Sequence, residues 1–225
     1  MKIFRIFAFF FWVIIGCLLC CSFLYPLDTL KTDRGNNVDR FGAFSEIEGF
    51  VPYVVKEGDT LFKIAPPQHW EIILKVNRID ERHLIPGSII LIPKNFEKIS
   101  SFCPVPKKIS FSQERVVVFY LKRQYFGAYE NGKLLFWGPI SSGRKGYETP
   151  TGIFKAQWKS KNYFSKKYKA PMPYAVNFSH KGLFFHEQAL PGKPSSHGCI
   201  RLLRADAKKL FYWIRVGDKI IIRSD

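Results

Sequence analysis

Cysteine is scarce in the body of this 225-residue chain, which has five cysteines in all. Three of them, Cys17, Cys20 and Cys21, lie in an apolar N-terminal stretch, so only Cys103 and Cys199 remain for the rest of the chain. Two cysteines so far apart lack the dense spacing of a disulfide-stabilised domain. No C-x-x-C or H-x-x-H pair accompanies Cys199, and this disfavours a zinc site built around it.

Acidic residues are also few, with 18 Asp and Glu against 35 Lys and Arg, which gives a formal net charge of +17. Such a chain is attracted to polyanions. The sequence has no zinc-finger, basic-leucine or RNP-type motif, so we do not expect nucleic acid as a partner. Anionic membrane lipids and anionic cell-wall polymers fit the charge equally well. The 47% hydrophobic content excludes a largely disordered chain.

The N-terminus has a long apolar run with no charge from Ile6 to Tyr25, preceded by Lys2 and Arg5. About twenty such residues are enough to cross a membrane as a helix, and the basic lead keeps the N-terminus in the cytoplasm. An A-x-A-like cleavage site is missing. We therefore predict a signal anchor or transmembrane segment over 1–27. A lipoprotein processed at Cys17 and a cleaved signal are the alternatives.

The polar residues 28–50 are predicted to be a linker, and the next segment, 51–94, has the pattern of a small strand–helix–helix–strand unit. The stretches YVVKEGDTLFKIA and LIPGSIILIP within it resemble a LysM domain. The resemblance implies binding to N-acetylglucosamine-containing glycans such as peptidoglycan, with Gly58, Asp59 and Thr60 among the binding residues. Helix capping is the alternative role of Asp59 and Thr60.

Residues 95–110 are predicted to be a second linker, and residues 111–225 a single domain rich in strands. Val116 to Leu121 is a continuous apolar run, typical of a strand buried on both faces. Asn131-Gly132 between two apolar segments predicts a hairpin. Apolar residues from Leu203 to Ile214 recur on one helical stripe. The predicted fold class is α+β, with a small βααβ module followed by a β-rich, sandwich-like domain carrying one packed helix.

The chemistry of this second domain is concentrated in His186 to Arg201, HEQALPGKPSSHGCIR. Cysteine is a strong nucleophile as the thiolate, and a neighbouring imidazole favours that form. Glycine at 198 allows the backbone to approach a substrate closely, so that N–H groups can stabilise an oxyanion. Two alternatives are a buried cysteine without a chemical role and a zinc site made of His186, His197 and Cys199.

The run SHGCIR, Ser196 to Arg201, with a histidine upstream, resembles the signature of L,D-transpeptidase (YkuD-type) catalytic domains, as does the turn TPTGIF from Thr149. The resemblance implies acyl transfer in which Cys199 attacks the carbonyl at the L-centre of a diamino acid in a peptidoglycan stem. His186 is then the general base that keeps Cys199 ionised. The family usually has glycine after this histidine, where this chain has Glu187.

The same resemblance assigns supporting roles to several further residues. His197 and Ser196 support the loop, N–H groups near Gly198 and Cys199 receive the oxyanion, and Arg201 braces the loop or meets a stem carboxylate. Tyr174 is implied as a substrate-binding residue. No cofactor or metal is implied.

The expected protein is a cell-envelope enzyme with its catalytic domain on the periplasmic, extracytoplasmic side of the membrane and peptidoglycan as its partner. Transfer to an amine gives a cross-link, whereas transfer to water gives an L,D-carboxypeptidase. A wall-binding protein without catalysis is the remaining alternative.

Overall fold

The computed structural model describes residues 47–96, 102–110 and 114–225. The predicted anchor, 1–27, and nearly all of the predicted linker 28–50 lie outside this part of the chain. Within the described ranges, no helix is long and apolar enough to span a bilayer.

The first half is the predicted βααβ unit. Its elements are β1 (Phe50–Val54), α1 (Leu61–Ile64), α2 (Trp70–Asn77) and β2 (Ile89–Pro93). The two strands pair antiparallel, with Tyr53 opposite Ile90. Asn77 joins helix to strand, because its amide donates to Leu91 O and its side-chain oxygen accepts from Leu91 N. We call this half the LysM half, after the resemblance stated above.

Two features limit its helices. Helix α1 is only four residues long and is followed by Ala65 in an extended conformation. Pro66 follows directly, and a residue before proline is disfavoured in the helical region. Helix α2 ends where Arg78 adopts a left-handed backbone with φ of 56°. The proline pair 66–67 therefore ends the first helix after four residues.

The second half is built on one nine-stranded mixed sheet and one helix. The elements are β3 (Arg115–Tyr120), β4 (Tyr125–Glu130), β5 (Lys133–Ser141), β6 (Gly152–Lys155), β7 (Trp158–Ser165), β8 (Ala170–Ser179), β9 (Leu183–Glu187), β10 (Ile200–Leu202), α3 (Arg204–Trp213) and β11 (Lys219–Arg223). Eight pairings join the strands in the order β6-β11-β3-β4-β5-β10-β9-β8-β7, and two of them, β11–β3 and β10–β9, are parallel.

This sheet curls around a shared apolar core. Phe154 on β6 contacts Phe178 on β8 with ring centroids 5.4 Å apart, although the two strands lie far apart in the strand order. Helix α3 contributes Ala207 and Leu210 to the same core. The prediction of a β-rich domain with one packed helix is confirmed. Its two layers are halves of one curled sheet rather than separate sheets.

Strand β3, which lies inside the sheet between β11 and β4, is buried on both faces, as its apolar run predicts. Val117 and Phe119 face the core that contains α3, whereas Val116 and Val118 face a second cluster. That second cluster includes Val105, and Ile109 N donates to Gly132 O at 2.8 Å. Part of the segment predicted as a linker therefore covers the outer face of the sheet.

Candidate active site

The parallel pairing of β9 with β10 brings the three central site residues together. His186 lies opposite Arg201 in the register, and Cys199 precedes β10 by one residue. Side chains alternate along a strand, so Cys199, Arg201 and His186 project from one face of the sheet. The intervening Phe185 and Ile200 are fully buried in the core on the other face. Alternation alone thus separates site residues from core residues.

His186 is held in one tautomer by its neighbour. Its Nδ1 lies 2.8 Å from the carbonyl oxygen of Glu187, and a carbonyl only accepts hydrogen bonds. Nδ1 therefore carries the proton, which leaves the Nε2 lone pair available as a base. Burial lowers the pKa of His186 to about 4, and the charge of Arg201 acts in the same direction. The hydrogen bond from the ring to the Glu187 carbonyl raises the pKa but does not offset burial. The imidazole is neutral at neutral pH.

The carboxylate of Glu187, by contrast, points away from this ring. It lies 3.1 Å from Nη1 of Arg204. Glu187, the residue that departs from the family pattern, thus contacts His186 through its main-chain oxygen. Its carboxylate pairs with Arg204 of helix α3.

Burial raises the pKa of the Cys199 thiol, and a hydrogen bond from the backbone of Phe184 together with the charges of Arg201 and Lys167 opposes this. The resting pair is therefore a thiol and a neutral imidazole. The general-base role of His186 stays a prediction.

The loop that carries Cys199 consists of residues 188–199 and is called the β9–β10 loop below. Its C-terminal end is fixed by Ser142 and Thr149: the amides of Ser195 and Ser196 both donate to Ser142 O, at 2.9 and 3.0 Å, and Thr149 Oγ1 donates to Gly198 O at 2.9 Å. Within the loop, the hydroxyl of Ser196 donates to the carbonyl of Cys199.

Two glycines make this arrangement sterically feasible. Gly198 has φ of +111°, a region that side chains rarely adopt, and its N–H donates to Ser196 Oγ at 3.0 Å. This N–H is therefore engaged within the loop rather than directed at a substrate. Gly143 passes so close to the next turn that a Cβ would lie 1.9 Å from Tyr147 O.

His197 is exposed and lies between two aromatic rings. It stacks on Tyr168 with centroids 5.2 Å apart and meets the edge of Tyr147 at 4.9 Å. Desolvation lowers its pKa, and the charges of Arg144, Arg201 and Lys167 act in the same direction. The two histidines thus differ in environment, since His186 is buried beside Cys199 and His197 lies at the surface.

Two cavities meet at Cys199, and Tyr168 and His197 line both. The smaller, about 260 Å³, also contains His186, Met172 and Arg201. The larger, about 550 Å³, extends along the β7–β8 hairpin. The hairpin turn 166–169 contains Tyr168, whose side chain lines both cavities.

Sequence reasoning missed Met172, Gln188, Tyr147 and Tyr168 as residues around the site. Met172 packs with Cys199 in a small buried cluster, and Gln188 lines the smaller cavity. The basic run Lys166-Lys167 directly before Tyr168 is the sequence signal that could have drawn attention to this hairpin turn.

Tyr174, predicted to bind substrate, lies elsewhere. It is 7% exposed and packs against Phe211 of α3, with centroids 5.8 Å apart. Its φ is 55°, which interrupts the alternation of β8 and turns its side chain toward the core. Neither cavity at Cys199 includes it.

The predicted glycan-binding residues form a turn in the LysM half. The Asp59 carboxylate accepts from Tyr53 Oη at 2.8 Å and from Lys56 N at 2.7 Å, and Gly58 O accepts from Lys63 Nζ. Thr60 occupies the N-cap position of α1, but among the described residues its side chain has no capping hydrogen bond. Asp59 stabilises the turn instead of capping the helix.

A zinc site of His186, His197 and Cys199 is not formed. In the described ranges, no group of three or more His, Cys, Asp and Glu side chains is arranged to hold a metal ion.

Comparisons with known proteins give matches in both halves of the described chain. The protein-family model of the L,D-transpeptidase catalytic domain (YkuD) matches residues 114–222, and the model of the LysM domain matches residues 53–93. Probable L,D-transpeptidase 3 of Mycobacterium tuberculosis (strain ATCC 25618 / H37Rv) is 30% identical in an alignment 119 residues long, and the match covers 45% of this chain and 42% of the relative. The chain thus spans less than half the length of this curated relative.

Among solved structures, an L,D-transpeptidase from Stackebrandtia nassauensis is 29% identical, with a TM-score of 0.49 over 59% of this chain and 62% of that one. An L,D-transpeptidase from Mycobacterium smegmatis is 25% identical, with a TM-score of 0.46 over 49% of this chain and 59% of that one.

Proposed function

Because the chain carries a LysM domain followed by a YkuD-type L,D-transpeptidase catalytic domain, we propose that it is a cell-wall enzyme that forms an acyl-enzyme on Cys199 with peptidoglycan stem peptides. The single observation that carries this proposal is the register of β9 with β10. Because of this register, His186 and Cys199 line the same cavity, and Nε2 of the imidazole is unprotonated.

The proposed reaction begins with the neutral pair. Cys199 Sγ attacks the carbonyl at the L-centre of a diamino acid, and its proton passes to Nε2 of His186. The backbone N–H of Cys199 stabilises the resulting oxyanion, because the N–H of Gly198 is engaged by Ser196. The C–N bond then breaks, the D-amino acid leaves with the proton from His186, and a thioester remains on Cys199.

The second half of the reaction reverses these roles. An acceptor amine attacks the thioester and transfers a proton to His186, the C–S bond breaks, and the proton returns to the Cys199 sulfur. The product is a cross-linked peptide. Water in place of the amine would give hydrolysis and hence an L,D-carboxypeptidase.

Charge around the site supports an anionic substrate. Arg201 lines the smaller cavity, and Lys167 and Arg144 lie near enough to His197 to lower its pKa. We propose that Arg201 meets a carboxylate of the stem peptide, a contact for which a guanidinium is well suited. His197 and Ser196 keep the loop in place.

The LysM domain is proposed to hold the enzyme on the glycan strand through Gly58, Asp59 and Thr60. The uncharged run from Ile6 to Tyr25 is proposed to anchor the chain in the membrane, with both domains outside the cytoplasm. These two attachments would confine the catalytic site to the cell envelope.

The test is incubation of the full-length protein in detergent with tetrapeptide-stem muropeptides, with products identified by mass. We expect cross-linked dimers from the wild type and none from Cys199→Ala. Shortened monomers alone would establish the hydrolase. Unchanged muropeptides, together with no carbapenem adduct on Cys199, would leave a wall-binding protein without catalysis.

A further inference from the structure

The β9–β10 loop is fixed by two different parts of the chain. Its C-terminal end is bound by Ser142 and Thr149 of the catalytic domain, as described above. Its middle reaches the LysM half, where Ile79 forms an isolated antiparallel bridge with Pro191. The segment between the base and the nucleophile is therefore partly held from outside the catalytic domain.

Asp80 makes the main contact. Its backbone N–H donates to Leu190 O at 3.0 Å, and its Oδ2 accepts from Leu190 N, also at 3.0 Å. Leu190 is fully buried. One residue of the LysM half thus satisfies both main-chain groups of a buried loop residue. Loss of these hydrogen bonds would destabilise the folded protein, because a buried N–H or C=O group without a partner is costly in free energy.

The Asp80 carboxylate is itself held in a fixed orientation. Its Oδ1 lies 2.7 Å from Nδ1 of His83 and accepts from Arg82 N at 3.1 Å, and its Oδ2 also accepts from Arg82 Nη2 at 2.7 Å. The side chain is only 15% exposed. Both oxygens are occupied, so the rotamer that presents Oδ2 to Leu190 is strongly preferred.

The LysM half is connected to the catalytic sheet at other points as well. Lys75 Nζ lies 3.0 Å from Oδ1 of Asp206 on α3, and Tyr125 Oη of β4 donates to Val76 O at 2.9 Å. These contacts involve buried groups. Asp80 therefore belongs to a segment that is also held to the catalytic domain by contacts outside the β9–β10 loop.

We propose that Asp80 is a positioning residue for acyl transfer: through Leu190 it holds the β9–β10 loop so that Cys199 and His186 stay in register. This inference rests on the proposed function of that site. It gives the LysM domain a second role, independent of glycan binding, as a structural part of the active site.

The experiment uses the full-length protein in detergent and a synthetic tetrapeptide stem without glycan, so that sugar binding does not enter the measurement. Asp80→Ala removes the acceptor of the Leu190 amide. Asp80→Asn keeps an oxygen for it. Glu81→Gln is the matched control, since it removes an exposed negative charge one residue away without touching the loop.

We expect Asp80→Ala to lower kcat by roughly 10- to 100-fold with KM unchanged, because small displacements of reacting groups have effects of that size. Asp80→Asn should retain at least half of the wild-type kcat, and Glu81→Gln should match the wild type. Wild-type kcat in Asp80→Ala would overturn the inference, as would equal losses in the Ala and Asn variants.

A second measurement separates this inference from the proposed function. Hydrogen exchange of the Leu190 amide is expected to be slow in the wild type and fast in Asp80→Ala. If the wild type leaves the tetrapeptide unchanged, the proposed function fails and the exchange result alone decides on Asp80. Should Asp80→Ala not melt cooperatively, fast exchange of Leu190 in the wild type would still refute the contact.

Discussion

The turn at Gly143 offers a direct test of how tightly the catalytic loop is bound. Replacing Gly143 with alanine would place a Cβ 1.9 Å from Tyr147 O, where real Cβ contacts need about 3.0 Å. The turn must therefore open by about 1.1 Å. Gly143 bridges to Ser196, and its N–H donates to Thr149 Oγ1, which in turn binds Gly198. The displacement would thus be transmitted to the residues that precede Cys199.

Overpacking of this kind destabilises by about 1–3 kcal/mol, and each kcal/mol lowers Tm by about 2–4 °C in a protein of this size. A misplacement of about 1 Å slows catalysis by roughly 100-fold. The assay is the rate of carbapenem acylation of Cys199, followed by intact-protein mass, alongside thermal melting.

The control is Gly146→Ala in the same turn. Its φ of +80° makes alanine strained, but no heavy atom of the described residues lies within 4 Å of a Cβ built there. It should lose about 1–2 kcal/mol of stability and acylate within about twofold of the wild type. Melting will not distinguish the two variants, whereas the rate will. Wild-type acylation by a folded Gly143→Ala protein would refute the reasoning.

Three further predictions concern the site and the domain contact. Burial lowers the pKa of His186 to about 4 and raises the pKa of Cys199. The rate of alkylation of Cys199 by iodoacetamide should therefore keep rising above about pH 8.5, the usual thiol pKa. A plateau in this rate below neutral pH would indicate a preformed ion pair. Tyr168→Ala removes the ring stacked on His197 and should slow acylation roughly fivefold, the effect of about 1 kcal/mol, with Tyr168→Phe at the wild-type rate. Tyr125→Phe leaves the buried Val76 carbonyl without its donor and should lower the free energy of unfolding by about 1–2 kcal/mol. This corresponds to a Tm lower by roughly 2–8 °C, and an unchanged Tm would contradict the prediction.

The residues at the centre of the site were predictable because strand periodicity determines their direction. Cys199 and Arg201 are two positions apart, and an apolar residue between them must face the core. The hairpin at Asn131-Gly132 was predictable for a similar local reason, since both residues adopt positive φ, 48° and 76°.

Tyr174 shows where periodicity fails. Regular alternation would put Met172 and Tyr174 on the same face of β8. In the structure Met172 and Ala175 share the small cluster beside Cys199, whereas Tyr174 and Val176 belong to the main core. The left-handed backbone at Tyr174 shifts the pattern by one residue. A tyrosine is not a residue from which a positive φ is expected, so the sequence contained no sign of it.

The contact between the domains was also outside the reach of sequence reasoning. Asp80 and Leu190 are 110 positions apart, and their hydrogen bonds involve main-chain groups that every residue possesses. Tyr168 and Tyr147 approach His197 from separate turns, which only the tertiary fold brings together. Local patterns pointed to the candidate reactive residues, and long-range packing determined their surroundings.

The parallel pairing of β9 with β10 has a consequence for engineering. Antiparallel neighbours can be joined by a two-residue turn, but parallel neighbours need a connection of about a dozen residues, because the chain must return to the end where the first strand began. Residues 188–199 are that connection. Shortening surface loops is a common route to heat-resistant proteins, yet here a deletion would separate β10 from β9. The minimum length of the loop that carries Cys199 is therefore set by the topology of the sheet.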